Sequence, residues 1–283
     1  MQRPAPTLFS FQVPLGFADL RLAGPYSAPL KRRVGLKAGR ASRVFYPKGR
    51  VRRRQATQST SDTFLNHPFH HAEFATTAAQ WRELPTGGAP EIAFAGRSNS
   101  GKSSAINALA QRARLAYVSR TPGRTQHINF FRTPSGALLA DLPGYGYAKV
   151  PDKVRRHWQS FLARYLRERG PLVGLVLVMD ARRPLTALDR QMLDWFLPTG
   201  RPVQVLLAKA DKLSAAAARQ ALEHSARALA ERYGTLREGI GVQLFSATRR
   251  VGVGEAEYAI GAWVKAHAPM ATSQKERPRH QGE

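Results

Sequence analysis

A chain of 283 residues with 43% hydrophobic and 22% charged residues has the composition of a globular protein large enough to bury a core. It has no cysteine, which excludes disulfide scaffolds, cysteine-ligated zinc, iron–sulfur clusters and thiol catalysis; no run approaches the ~18 apolar residues of a membrane span, which excludes an integral helical membrane protein. Lys and Arg number 44 against 19 Asp and Glu, a net charge of +25 that points to a polyanionic partner such as nucleic acid.

The first 60 residues hold 13 of the basic residues and a single acid, Asp19. Pro4, Pro6, Pro14, Pro25 and Pro29 interrupt every short apolar run, and basic clusters stand at Lys31-Arg32-Arg33 and around Arg52-Arg53-Arg54. Residues 1–65 therefore read as a disordered basic extension. A stretch included by a misplaced start is the expected origin, with an organelle transit peptide or a basic RNA-binding arm as the alternatives.

From residue 88 onward strands and helices alternate. Strands are predicted at 91–95, 127–132, 137–141, 172–179, 203–207 and 242–245. Helices are predicted at 102–110, 153–169, 186–197, 214–233 and 253–267. The run at 172–179 is nearly all apolar, as in a parallel strand buried on both faces. The pattern implies an α/β fold with a mostly parallel six-stranded sheet covered by helices on both faces. Residues 269–283 read as a polar tail.

Gly96-Arg97-Ser98-Asn99-Ser100-Gly101-Lys102-Ser103 fits G-x-x-x-x-G-K-[ST], directly after a predicted strand and before a predicted helix. Glycines there let backbone N–H groups turn inward around phosphates, and the helix N-terminus adds its positive dipole end. Lys102 is placed to neutralise the β- and γ-phosphates, and the Ser103 hydroxyl to ligate Mg²⁺. Asp141-Leu142-Pro143-Gly144 ends the strand at 137–141; its carboxylate can serve the Mg²⁺ shell through water, and the Gly144 N–H can meet a γ-phosphate. Ala208-Lys209-Ala210-Asp211 ends the strand at 203–207. Asp211 can accept the ring N–H and exocyclic amine of guanine, with the Lys209 stem along the base. Phe245-Ser246-Ala247 ends the last strand, where backbone N–H groups can meet the guanine O6. Each signal is weak alone, but all fall at strand C-terminal ends, where open α/β sheets bind ligands.

With these motifs, and with Thr121-Pro122-Gly123-Arg124-Thr125-Gln126, Asp141 through Ala148 and Asp180-Ala181-Arg182-Arg183-Pro184-Leu185, the chain resembles the EngB (YihA or YsxC) family. That family belongs to the TrmE–Era–EngA–EngB group of Ras-like P-loop GTPases, and the resemblance spans about 66–268. It implies GTP or GDP as bound nucleotide, Mg²⁺ as cofactor and hydrolysis of GTP to GDP and phosphate. Thr125 matches the switch I residue that meets Mg²⁺ when the γ-phosphate is present, in a segment that includes Gly123, Arg124, Gln126 and His127. Asp141 and Gly144 match switch II, Lys209 and Asp211 the guanine-reading pair. A role in assembling the large ribosomal subunit and in cell division is implied, in a monomeric protein of the bacterial cytoplasm that does not engage membrane. A bacterial source also fits 34 Arg against 10 Lys. The alternatives are an organellar homologue and a structural RNA-binding protein for which nucleotide is only a folding ligand. Two departures stand out. Ser100 occupies a commonly apolar position and is expected to be harmless, while Ala208 replaces a loop-bracing Thr or Asn and is expected to weaken affinity.

Tyr145 follows Gly144 where many GTPases carry a water-orienting Gln, so slow intrinsic hydrolysis is expected. Asn99 is a candidate K⁺ ligand, with a loop-bracing hydrogen bond as the equal alternative. Arg156, Arg167, Arg182 and Arg183 are candidate contacts for RNA phosphates. His67, His70 and His71 have no cysteine nearby and no i, i+4 pair on a predicted helix, and are read as polar residues without a metal.

Overall fold

The computed structural model describes residues 67–116, 127–145, 152–234 and 239–267, with the side chains of 152–159 not included. The expected extension over 1–65 and tail over 269–283 lie outside the described residues. So do Gly123, Arg124, Thr125, Gln126 and the Arg156 side chain.

A seven-stranded sheet has the order β1-β3-β4-β2-β5-β6-β7. The strands are β1 (Glu73–Ala78), β2 (Glu91–Gly96), β3 (Ile128–Arg132), β4 (Leu138–Asp141), β5 (Leu172–Asp180), β6 (Val203–Ala208) and β7 (Ile240–Leu244). The pairings β4–β2, β2–β5, β5–β6 and β6–β7 are parallel; β1–β3 and β3–β4 are antiparallel. Six strands match the sequence reading, and β1 corrects its strand count. β1 is an edge strand whose residues are mostly exposed and lack apolar alternation, so it carries no periodic signal.

The helices are α1 (Lys102–Leu109), α2 (Asp152–Glu168), α3 (Ala187–Phe196), α4 (Ala215–Tyr233) and α5 (Val253–His267). Local chemistry fixes their ends. Thr186 and Asp189 form a capping box at the start of α3, and the Ser214 side chain accepts from Ala217 N at the start of α4. One core lies between the sheet and Phe161, Tyr165 and Leu166 of α2, Met192, Leu193 and Phe196 of α3, and Leu229 of α4. A second joins the sheet to Ile106 and Leu109 of α1 and to Val253, Ile260 and Val264 of α5. Every residue of β5 and β6 is buried, which is why both read as mainly apolar runs, with Gln204 in β6 and the final Asp180 of β5 as the polar exceptions.

β2 neighbours β4 on one side and β5 on the other. The chain builds out from β2 to one side, then crosses to the other. The resulting crevice opens at the C-terminal end of β2, the place where such sheets take ligands.

Candidate nucleotide site

β2 ends at Gly96, and the next five residues turn the chain into α1. Gly96 has no room for a side chain: an added methyl would come within 2.6 Å of Ser100 Oγ and of the Val178 carbonyl oxygen. Ser100 N donates to the Arg97 carbonyl at 3.0 Å, which tightens the loop. Gly101 precedes α1 at φ 109°, a left-handed conformation that disfavours other residues. Lys102 and Ser103 thereby open α1, in the turn where a helix presents its amide N–H groups and positive dipole end to an anion.

The strand end of β4 arrives beside this loop. Lys102 Nζ pairs with Asp141 Oδ1, so the ammonium meant for phosphate and the carboxylate meant for the metal shell share one end of the crevice. Ser98 N donates to the Tyr145 carbonyl at 3.1 Å, and Tyr145 N to the Gly96 carbonyl at 3.3 Å. Between them a methyl on Gly144 would stand 3.3 Å from Ser98 N, so the chain leaving Asp141 crosses directly over the loop. The Tyr145 hydroxyl donates to Asp189 Oδ1 at 2.7 Å. Burial first, then the Asp189 charge, holds this phenol well above its ordinary pKa, so it stays a neutral donor.

At the other end, Lys209 sits in a left-handed conformation at φ 61°. Its ammonium donates to the Asn99 carbonyl and, at 3.0 Å, to Asp180 Oδ2. Asp180 also accepts from Arg182 through Nε at 2.9 Å and Nη2 at 2.6 Å. These contacts, those of Arg182 foremost, hold Asp180 well below the usual carboxylate range. Asp211 Oδ1 accepts from Ser246 Oγ at 2.6 Å, and this bond chiefly lowers the Asp211 pKa. Ser246 Oγ in turn accepts from Arg249 N at 3.1 Å, and Ala210 N donates to the Phe245 carbonyl at 3.1 Å. The loops after β6 and β7 are thus one hydrogen-bonded unit. Ser246 N already donates to the Val251 carbonyl at 2.9 Å, which narrows the expected O6 contact to Ala247.

Arg97, Ser98, Asn99, Asp180, Arg182, Arg183 and Lys209 line a cavity of about 460 Å³ between these two ends. The sequence-predicted loop residues, Asp141, Leu142, Pro143, Gly144, Ala208, Lys209, Ala210, Asp211, Phe245, Ser246 and Ala247 all stand at the C-terminal ends of β2, β4, β6 and β7. His127 is exposed just before β3. The carbonyl of buried Ala208 accepts from Ala181 N at 2.8 Å, while Lys209 supplies a brace to the loop at Asn99. The sequence reading missed the anchoring parts played by Asp180 and Asp189. The local signal for Asp189 was the Thr186-x-x-Asp189 spacing, its Tyr145 partner lying 44 residues away, and that for Asp180 was Arg182 two residues on.

A glycine-rich anion cradle, a lysine and carboxylate at its mouth, and an aspartate aligned for a base define a P-loop nucleotide-binding domain. A family profile described as a 50S ribosome-binding GTPase matches residues 91–209. A probable GTP-binding protein EngB of Azoarcus sp. is 56% identical over 196 residues, covering 69% of this chain and 92% of that protein. A probable EngB of Neisseria meningitidis is 53% identical over 209 residues, covering 74% of this chain and 98% of that protein. A crystal structure of a probable GTP-binding protein EngB shares the fold, with a TM-score of 0.51 at 20% identity over 62% of this chain and 99% of that one. The chain belongs to the EngB family of GTP-binding P-loop GTPases.

Proposed function

We propose that this chain is a GTP-dependent switch that assists assembly of the large ribosomal subunit in the bacterial cytoplasm and is needed for normal cell division. It acts as a monomer on ribosomal RNA and protein, without engaging membrane. The observation that carries the reading is the crossing of 144–145 over the phosphate loop, with the Tyr145 hydroxyl on Asp189 of α3. A γ-phosphate sensed at Gly144 is thereby coupled to a helix on the opposite face of the domain.

The residues fit a hard cation beside a triphosphate, since Ser103 and Asp141 offer oxygen and Asp141 lies against Lys102. Mg²⁺, when bound, neutralises charge on the phosphoryl oxygens. Lys102 would neutralise the β- and γ-phosphates, and Ser103, Thr125 and Asp141 would hold the metal. Gly144 reports the γ-phosphate through its N–H. Lys209 packs along the base while its ammonium fixes the loop at Asn99. Asp211, aligned by Ser246, selects guanine, and Ala247 N–H meets O6.

Tyr145 offers no amide to orient water, and its hydroxyl is held by Asp189. Intrinsic hydrolysis is therefore slow, and the rate rises with K⁺ held at Asn99 or with the ribosomal particle. Arg183 at the crevice and Arg167 at the opposite end of the sheet are both exposed and each suits an RNA phosphate; Arg182 is engaged by Asp180.

Sedimentation with ribosomal subunits tests the partner. The expected result is co-migration with the large subunit under GTP and release under GDP, and equal or no association in both states contradicts it. A turnover assay in matched potassium and sodium chloride tests the cation. Faster hydrolysis in potassium, lost in Asn99→Ala, is expected, and equal rates exclude Asn99 as a cation ligand.

A further inference from the structure

We propose that His67, His70 and Glu257 form a site for one transition-metal dication of the zinc type, which clamps the turn preceding β1 to α5. The site shares no residue with the nucleotide crevice.

The turn is fixed at several points. Phe69 is fully buried in the core beneath α1 and α5. Pro68 packs on α5, where a methyl on Gly261 would stand 3.1 Å from Pro68 Cγ. The Pro68 carbonyl accepts from Ser135 Oγ at 3.2 Å, and His71 N donates to the Ala110 carbonyl at 3.0 Å. His70 N donates back to the His67 carbonyl at 3.3 Å. This anchoring stacks the imidazoles of His67 and His70, centroids 4.4 Å apart and 11° from parallel.

Glu257 rises from the first turns of α5 to meet them. Its Oε1 lies 2.9 Å from His70 Nε2 and its Oε2 3.4 Å from His67 Nδ1. The Glu257 side chain is only 9% exposed, and among the described residues its ion-pair partners are these two histidines, with no Lys or Arg. A nearly buried carboxylate facing two imidazoles is poorly compensated when both are neutral. One ligand atom from each residue falls within 4.8 Å of the other two. Donors about 2.0–2.2 Å from a tetrahedral ion are separated by roughly 3.3–3.6 Å, so around zinc the 2.9 Å His70–Glu257 pair opens slightly while the wider separations close. Two neutral nitrogens and one carboxylate suit Zn²⁺, Co²⁺ or Ni²⁺ and not Mg²⁺ or Ca²⁺, which take oxygen. The His67 side chain is 49% exposed, leaving a solvent-facing fourth position for water. Sequence gave no such signal, because Glu257 follows His70 by 187 residues.

The test is calorimetric titration of the full chain, saturated with Mg²⁺ and GDP, with Zn²⁺, and with Co²⁺ as a spectroscopic probe. One equivalent of Zn²⁺ is expected, with a higher melting temperature that a chelator reverses and tetrahedral absorption for Co²⁺. Exposed His67→Ala and isosteric Glu257→Gln should each lower Zn²⁺ affinity by about 100-fold or more, since even an outer-shell partner is worth roughly 10–100-fold. GDP affinity should stay unchanged in both. No stoichiometric binding, or binding undiminished in both variants, overturns the proposal.

Discussion

Ser100 shows how one side chain adapts to a crowded loop. It is buried, and its Oγ has no hydrogen-bond partner among the described residues, while Gly96 leaves it just enough space. The resemblance made this serine a harmless substitution; the structure makes it an unsatisfied buried hydroxyl. Such a group costs about 1–3 kcal/mol. Ser100→Ala should therefore raise stability by about 1 kcal/mol with GDP affinity unchanged, measured by urea unfolding. Asp180 carries a pH signature. Its folded pKa is depressed by Arg182 and Lys209, so its contribution to stability is present above the unfolded value near ~3.9 and is lost as pH falls through the lower folded value. The stability gap between the parent and Asp180→Asn should be full near neutrality and shrink on acidification below that value; a constant gap contradicts the linkage. The phosphate loop and Asp211 were legible in sequence because each lies in a contiguous motif next to a strand. The parts of Asp189 and Glu257 were not, since each takes its meaning from a partner brought near only by the fold; Asp180 has Arg182 two residues away but meets Lys209 only in the fold.

Elements were legible in proportion to their burial. β5 and β6 are buried throughout and announced themselves as apolar runs, whereas β1, exposed at the sheet edge, left no pattern. α2 matches the helix predicted at 153–169, and its Phe161, Tyr165 and Leu166 are buried against the sheet, with Leu162 partly so. What the pattern did not reveal is how α2 is tied to the sheet. Glu91, fully buried at the start of β2, accepts from Tyr165 Oη at 2.9 Å and is paired with Arg169 just beyond α2. Arg201 donates to the Leu166 carbonyl at 3.1 Å and the Arg169 carbonyl at 3.0 Å at the same helix end. Removing one partner of a buried pair strands the other charge. Glu91→Ala should cost about 3–5 kcal/mol in urea unfolding. Nucleotide affinity of the folded fraction should be retained, because Glu91 lies at the strand end opposite the crevice. A loss below 1 kcal/mol would mean that Arg169 finds another partner.

Across the whole domain, two cores hold the mostly parallel sheet between helical layers, and the nucleotide site lies at one edge. Polar anchors at the opposite edge, such as Glu91, stabilise the frame without touching the site. This division leaves the C-terminal loops to be set by their own hydrogen bonds: Lys209 to Asn99 joins the base end to the phosphate end, and Ser246 to Asp211 orients the base reader. The central claim is that these loops form a guanine-selective site. Xanthine carries a carbonyl where guanine has its exocyclic amine, so an amide at position 211 matches xanthine where a carboxylate matches guanine. The most direct measurement is the affinity of Asp211→Asn for GDP and XDP beside the parent chain. The account predicts that GDP binding weakens by about tenfold or more, as loss of a charge-assisted hydrogen bond of roughly 1.5–3 kcal/mol requires, and that XDP becomes the preferred ligand. A variant that still prefers GDP would contradict it.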